Sequence, residues 1–263
     1  MSLLDPVERT QRGVEQQTRL TGAPAPEPQT LLQASWRDFI YAEVWTRPGL
    51  DLRARFWISM AAAACAPGPT EILDNYVRGA LTTGEVTLSE LREGALHLSV
   101  YAGWSRGGAW DAAITRVADA LGLAPAAFAP IRAEPWDPEV RLNEGAANFK
   151  SVMTFGGPPP AAPVAYFHGG INGFVFGEMW RRPGLDERSR RWITMVGVSE
   201  SSSDVPIRSH TYAAMASGNA TMDEMHEFVL QYALHGGWPR ASTMQSAVFE
   251  QGKRVADGLP FQA

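Results

Sequence analysis

Glu227, Gln231 and His235 recur at four-residue spacing in the stretch "MHEFVLQYALHGGW". On a helix that spacing stacks the three on one face. Their neighbours Met225, Phe228, Val229 and Tyr232 are of core type. A carboxylate beside an imidazole fixes its tautomer and raises its basicity, so such a row can hold and move a proton near neutral pH. Four of the five histidines lie in the second half of the chain: His168, His210, His226 and His235. His210 and His235 each stand 134 residues beyond a tyrosine, Tyr76 and Tyr101. Both ring types donate a hydrogen bond, but only imidazole exchanges protons readily near neutrality. His210, Glu227 and His235 are therefore the candidate catalytic residues. His226 is rotated by about 100° from Glu227 on a helix and should point elsewhere, and His168 is read as incidental. No two of His210, His235 and Glu227 show a short metal-ligand spacing such as HxxxH, so no metal site is expected from them.

The elements that must position these groups are written twice. "EVWTRPGLDLRARFWISM" begins at Glu43 and "EMWRRPGLDERSRRWITM" at Glu178, with twelve of eighteen residues identical. The similarity continues in "TLSELRE" and "TMDEMHE", then in "YAGWSR" and "HGGWPR". The polar row recurs as Glu93, His97 and Tyr101. The expected organisation is residues 1–125 as a first helical-bundle repeat, 126–137 as an Ala/Pro-rich linker and 138–263 as a second repeat. Two fused copies most simply replace a homodimer.

Within each copy the pattern is helical and no convincing alternating strand is present, which gives an all-α fold class of two tandem helical bundles. Asp51 and Asp186 stand where helix N-caps should be. Second helices are expected over about 70–82 and 205–217, stopped by Gly84 and Gly218. Thr87-x-x-Glu90 and Thr221-x-x-Glu224 are capping boxes, each opening a third helix that ends at Gly103 or at Gly236-Gly237. The stretch "SESSSD" at 199–204 is expected to be a polar loop. Arg55 and Arg190 fall in the first turn of a helix, where a cation opposes the macrodipole. They need an acidic partner or an anionic ligand, and Glu43 and Glu178 are the expected partners.

Composition excludes several classes. The net charge of −5, with dispersed arginines, argues against a nucleic-acid surface. Cys65 is the only cysteine, so neither a disulfide within the chain nor a CxxC redox pair is possible. The absence of a disulfide fits a reducing cytoplasm. "MSLLDPVERTQRG" has no apolar h-region, so no secretory signal is expected. The longest apolar run, around "AAAACA", is too short to span a bilayer.

Taken together, "WTRPGLDLRAR", "WRRPGLDERSR", "YVRGALTTGEVTLSELREGALHLSVYAGW" and "HTYAAMASGNATMDEMHEFVLQYALHGGWP" resemble the carboxymuconolactone decarboxylase family, which also contains the alkyl hydroperoxidase D-type proteins. The resemblance runs over almost the entire chain, once per repeat. It implies an all-α fold and rings of three or six subunits, hence a trimer of two-repeat chains. Peroxidase-type members carry a CxxC pair before the histidine that matches His210. Here that segment is "SSSDVPIRS", and the peroxidase glutamate falls on Arg191 and on Phe56. Thiol peroxidase activity is therefore not expected. Decarboxylase-type members act without a cofactor on a lactone acid. The family histidine matches His210, with Tyr76 departing from it, and the helix acid matches Glu93 and Glu227.

The functional expectation is a cofactor-independent lyase of the decarboxylase type. Its substrate would be a small cyclic carboxylate or lactone, and Trp180, Arg190, Tyr212 and Trp238 would bind it. Losing CO2 leaves an enolate-like anion, which needs hydrogen-bond donors at its oxygen and an acid to return a proton to carbon. The same residues would serve an isomerase or dehydratase of secondary metabolism, or a ligand-binding protein without turnover.

Overall fold

The computed structural model describes residues 4–132, 137–156 and 164–262, and among these the chain is helical with no strand. In chain order, α1 (Pro6–Thr21) is followed by the short α2 (Leu31–Ser35), which runs directly into a first π-helix (Trp36–Val44). Then come α3 (Leu52–Cys65), α4 (Thr70–Thr82), α5 (Leu88–Ala102) and α6 (Trp104–Ala120). The second half begins with α7 (Pro138–Met153) and a second π-helix (Tyr166–Phe176), which leads into a single 3-10 turn (Met179–Arg181). It continues with α8 (Glu187–Ser201), α9 (Asp204–Ala216), α10 (Met222–Gly236) and α11 (Trp238–Ala256).

Local chemistry sets most boundaries. The Asp51 carboxylate accepts from Ala54 N at 2.7 Å and that of Asp186 from Ser189 N at 2.8 Å, which starts α3 and α8. Both capping boxes close, Thr87 with Glu90 and Thr221 with Glu224. Gly84 and Gly218 take the left-handed backbone after α4 and α9, at φ +73° and +76°, where a Cβ would be strained. The π-helices were not legible in the pattern. The first ends with Trp45 N donating to Ile40 O at 3.0 Å, a five-residue step. The stretch at 199–204 corrects the loop expectation, because α8 continues to Ser201. Glu200 is buried there and accepts from Tyr232 Oη and from an Arg240 guanidinium nitrogen, both at 2.7 Å. The helix runs on because it is enclosed on every side.

α3 and α8 are the centre of the molecule. From Ser189 to Glu200 every residue of α8 is buried, and α3 is buried almost as completely. The two helices pack on each other, α5 lies against α8 and α10 against α3. One continuous apolar core therefore runs through both halves of the chain, from Leu20 and Trp57 to Trp192 and Val248. A smaller cluster of Val152, Met153, Phe176, Trp180 and Ala213 sits beneath α7 and the second π-helix.

Several ion pairs cross between the halves, two of them from the turns before α3 and α8. Arg47, in the turn before α3, holds Glu227 of α10 through contacts of 2.5–2.8 Å. Arg182, in the turn before α8, holds Glu93 of α5 at 2.6 and 2.8 Å. At the helix ends the crossing repeats on the surface. Arg53 bridges Glu90 and Asp186, and Arg188 bridges Glu224 and Asp51. Arg182 also donates to the carbonyls of Ala129 and Pro130 at 2.9 and 2.7 Å, which pins the connecting segment. Residues 133–136 of the expected linker lie outside the described residues.

The Arg182 and Glu93 side chains are 5% and 6% exposed, against 31% and 11% for Arg47 and Glu227. Arg182→Met strands a buried carboxylate and should cost about 3–5 kcal/mol. Arg47→Met should cost less, because Arg55 still faces Glu227. Urea unfolding of the two variants measures the difference.

Candidate active site

The polar residues of α5 and α10 feed two separate clusters, each built across the halves of the chain. The first joins His97 and Tyr101 of α5, Trp180 of the 3-10 turn, Arg191 and Thr194 of α8, and His210 of α9. Trp180 Nε1 donates to Tyr101 Oη at 2.6 Å, and His97 Nε2 lies 2.9 Å from Thr194 Oγ1. The Tyr101 and His210 rings meet edge to face at 5.3 Å. His97 and Trp180 do the same at 4.9 Å. The Arg191 guanidinium sits over the Trp180 ring at 5.0 Å. It donates to Asn219 Oδ1 at 3.1 Å and to Val152 O at 2.7 Å.

The second cluster joins Trp36 and Trp45, Arg55, Phe56 and Ser59, Tyr76 of α4, and the row Glu227, Gln231 and His235 of α10. His235 Nε2 lies 3.2 Å from Tyr76 Oη. Gln231 donates to Ser59 Oγ at 2.8 Å and accepts from Arg55 Nη1 at 2.7 Å. Arg55 Nη2 reaches Glu227 at 3.2 Å and the Arg47 carbonyl at 2.8 Å. The His235 ring lies 5.8 Å from Trp36, and the Tyr76 ring stacks on Trp45 at 5.5 Å.

At the sequence offsets of 134 and 135 the two clusters correspond position by position: Tyr101 to His235, His210 to Tyr76, His97 to Gln231, Thr194 to Ser59. The exchange of imidazole for phenol is therefore complementary. Each cluster receives a tyrosine from the first half and a histidine from the second, and the first cluster holds His97 besides. The change that alters formal charge falls at one further position. Arg191 stands in the first cluster where Phe56 stands in the second, packed on Trp45 at 5.1 Å.

That difference divides their electrostatics. In the second cluster Gln231, Ser59, Arg55 and Glu227 bond to one another in a chain, which leaves Arg55 Nε and Trp45 Nε1 as the buried atoms without a partner among the described residues. In the first, three buried atoms have no partner among the described residues: His97 Nδ1, His210 Nδ1 and Arg191 Nη1. Each such atom is costly unless something else meets it. Burial lowers the His210 pKa to about 3, with Arg191 adding to the effect. Burial, then Arg190 and Arg191, push His97 well below the usual imidazole range. Burial alone brings His235 down to about 4. Burial raises Tyr101 to about 12 and lowers Arg191 to about 10. At neutral pH the first cluster is thus two neutral imidazoles, a neutral phenol and one guanidinium cation. Burial acts to raise the Glu227 carboxyl, but Arg47 and Arg55 outweigh it and hold it below the ordinary range.

The expected site residues fall in different places. His210 and Trp180 belong to the first cluster, whereas Glu227 and His235 belong to the second. Arg190 is buried, but its guanidinium donates to the Arg182 carbonyl at 2.7 Å. Tyr212 Oη donates to Leu259 O at 3.1 Å, and its ring meets Phe155 and Phe261. Trp238 is 57% exposed at the start of α11. The expected partners of Arg55 and Arg190 are corrected. Glu43 pairs with Arg9 and Glu178 with Arg132 instead. His226 turns toward Gln245 and Phe249, as its helix phase requires, and His168 caps its own helix near Val164. His97, Tyr101, Thr194 and Arg191 complete the first cluster without having been assigned to it. The signal for the first two was the offset that sets His97 opposite Gln231 and Tyr101 opposite His235. Among the described residues no group of three or more His, Cys, Asp or Glu could hold a metal ion, and no helix is long and apolar enough to cross a membrane.

Comparison with known proteins gives a partial match. Over 76 residues, 29% of this chain, the sequence is 32% identical to a 4-carboxymuconolactone decarboxylase of Acinetobacter baylyi. The matched region is 56% of that protein, so the chain spans about half the length of the curated relative it matches. No family profile matches the chain.

The three depressed imidazoles set an acid limit. Their folded pKa values lie below the ordinary 6.5, so the unfolded chain takes up the protons first. Their contribution to stability is complete above pH 6.5 and is lost as pH falls toward about 4 for His235 and about 3 for His210. Each group adds a slope of up to about 1.4 kcal/mol per pH unit in that window. Unfolding free energies between pH 7.5 and 4.5 should show this decline. Imidazole NMR shifts of the folded chain should stay flat above pH 5 for all three residues.

Proposed function

We propose that this protein is a cofactor-independent lyase of the decarboxylase type, acting on a small cyclic carboxylate or lactone. Its reaction centre is the cluster of His97, Tyr101, Trp180, Arg191, Thr194 and His210. The observation that carries the proposal is the set of three unpartnered buried polar atoms, one of them on a buried cation. A small anionic ligand would supply the missing acceptor for Arg191 Nη1. The partial match to a protein named as a decarboxylase supports the reaction class.

The roles follow from charge. Arg191 holds an oxygen of the substrate through its free nitrogen and the ring face of Trp180 fixes its plane. When the bond to the carboxyl group breaks, CO2 leaves and the electron pair stays behind as an enolate. Charge then builds on an oxygen that a neutral imidazole N–H, the Tyr101 hydroxyl and a guanidinium can meet. Trp180 already donates to the Tyr101 oxygen, so the phenol keeps its own proton free for a substrate atom. The Tyr101 hydroxyl delivers a proton to carbon, and the phenolate left near Arg191 takes a proton back from water, which completes the reaction. Neutral donors suit the task because they are buried without the cost of a second charge.

Glu227 serves in this scheme as the anchor of Arg47 and Arg55, and His235 as the partner of Tyr76 in the second cluster. We further propose the chain to be a fused pair of equivalent helical units, three chains forming the assembly, and light scattering that returned a monomer would refute the assembly. An isomerase or dehydratase is the second reading. The specific observation behind it is Arg191 itself, since a guanidinium stabilises a carboxylate in the ground state and favours keeping it.

The test is a panel of unsaturated lactone acids followed by ultraviolet absorbance and by CO2 release. His210→Asn and Arg191→Met should each lower kcat/KM by about 10²–10⁴-fold, with melting temperatures recorded alongside. Full turnover in both variants would sink the proposed centre. Turnover without CO2 would select the isomerase or dehydratase.

A further inference from the structure

The second cluster borders a cavity for which the proposed reaction has no use. Its volume is about 440 Å3, within the range of about 300–1,000 Å3 usual for small-molecule sites. Trp36 and Tyr41 of the first π-helix and Ile72 of α4 give it apolar and aromatic faces. Gln17 and Asn75 add neutral amides. Prolines 26, 28 and 69 stiffen its rim, since each fixes its own φ.

Charge distinguishes this cavity from the Arg191 cluster. No lysine, arginine or histidine lines it among the described residues, and Glu27 is the one charged residue there. The Glu27 side chain is 83% exposed and lies 3.6 Å from Arg37, so its charge is spent in solvent. Burial keeps the Tyr41 phenol protonated. Behind Trp36 the next group is His235, 5.8 Å ring to ring, which is neutral above about pH 4. Beyond it Phe56 occupies the place that Arg191 takes in the first cluster. An anion entering the cavity would lose its water and find no cation. A flat uncharged molecule would lose little and would gain two aromatic faces and amide hydrogen bonds.

We infer that this cavity is a second ligand site, separate from the reaction centre, which binds an uncharged, planar, mostly apolar small molecule and rejects its carboxylate form. The two clusters have diverged in charge, and with it in the ligand each accepts.

The experiment is isothermal titration calorimetry on the full chain at pH 7.5. The probes are coumarin, methyl benzoate and methyl 1-naphthoate, with benzoate and 1-naphthoate as the matched acids. At least one neutral probe should bind with a submillimolar Kd, and each bound ester should be at least tenfold tighter than its acid. Ile72→Trp fills the cavity and should weaken that binding tenfold or more. Asn75→Arg, at a partly exposed position, places a cation at the wall and should narrow or reverse the preference for ester over acid. His210→Asn should leave the affinity unchanged. The inference is overturned if no neutral probe binds below millimolar. It is equally overturned if acid and ester bind alike to the native chain, or if His210→Asn abolishes binding. It also fails if folded Ile72→Trp and Asn75→Arg both bind as the native chain does. Failure here leaves the proposed lyase untouched, because turnover and CO2 release are read at the other cluster.

Discussion

Two arginine–glutamate pairs, one buried and one partly exposed, cross between the halves of the chain and are the constraint from which the rest of the structure follows. Arg47 reaches from the turn before α3 to Glu227, and Arg182 from the turn before α8 to Glu93. Neither glutamate has a sufficient partner in its own half. A buried carboxylate without a cation is costly, so α5 and α10 can be placed only where the opposite half brings its arginine. Once Glu93 and Glu227 are fixed, the residues one and two turns further on are fixed as well. His97 then meets Thr194, and Tyr101 meets Trp180. On the other side Gln231 meets Ser59 and His235 meets Tyr76. The ion pairs are thus register pins more than sources of net stability.

Equal frames have acquired unequal contents. In the second cluster both terminal nitrogens of Arg55 are engaged, by Gln231, Glu227 and a backbone carbonyl, and both polar ends of Gln231 are met, with Arg55 Nε and Trp45 Nε1 left over. The first cluster has Arg191 in a corresponding enclosure, tied by two of its nitrogens and free at the third. Folding alone gives no reason to bury an unfulfilled guanidinium beside two imidazoles that are also unfulfilled. A ligand that brings acceptors would give such a reason, and on that ground the reaction centre is proposed at the first cluster. Phe56 in the second makes that side apolar at the corresponding point.

Much of the local structure was legible. Asp51 and Asp186 as caps, the two capping boxes, the stops at Gly84 and Gly218 and the helices near 70–82 and 205–217 all depend on neighbours within one turn. The π-helices were not legible, because a single extra residue per turn leaves the apolar period almost unchanged. The partners of Arg55 and Arg190 were missed for a different reason. They were sought at Glu43 and Glu178, which pair with Arg9 and Arg132 instead, while Arg55 finds Glu227 in the opposite half and Arg190 a backbone carbonyl in its own.

The site shows the same division more sharply. From its own text the chain determined which residues could move protons, that imidazole and phenol change places between the halves, and that Arg191 and Phe56 mark where the halves differ. Those are properties of residue type and periodicity, and they need no third dimension. Only the tertiary structure decided that His210 stands with Tyr101, and His235 with Tyr76. Residues related by the sequence offset fall in different clusters rather than together. The three candidate catalytic residues therefore divide between two clusters, because packing between the halves brings together residues that no spacing along the chain can pair.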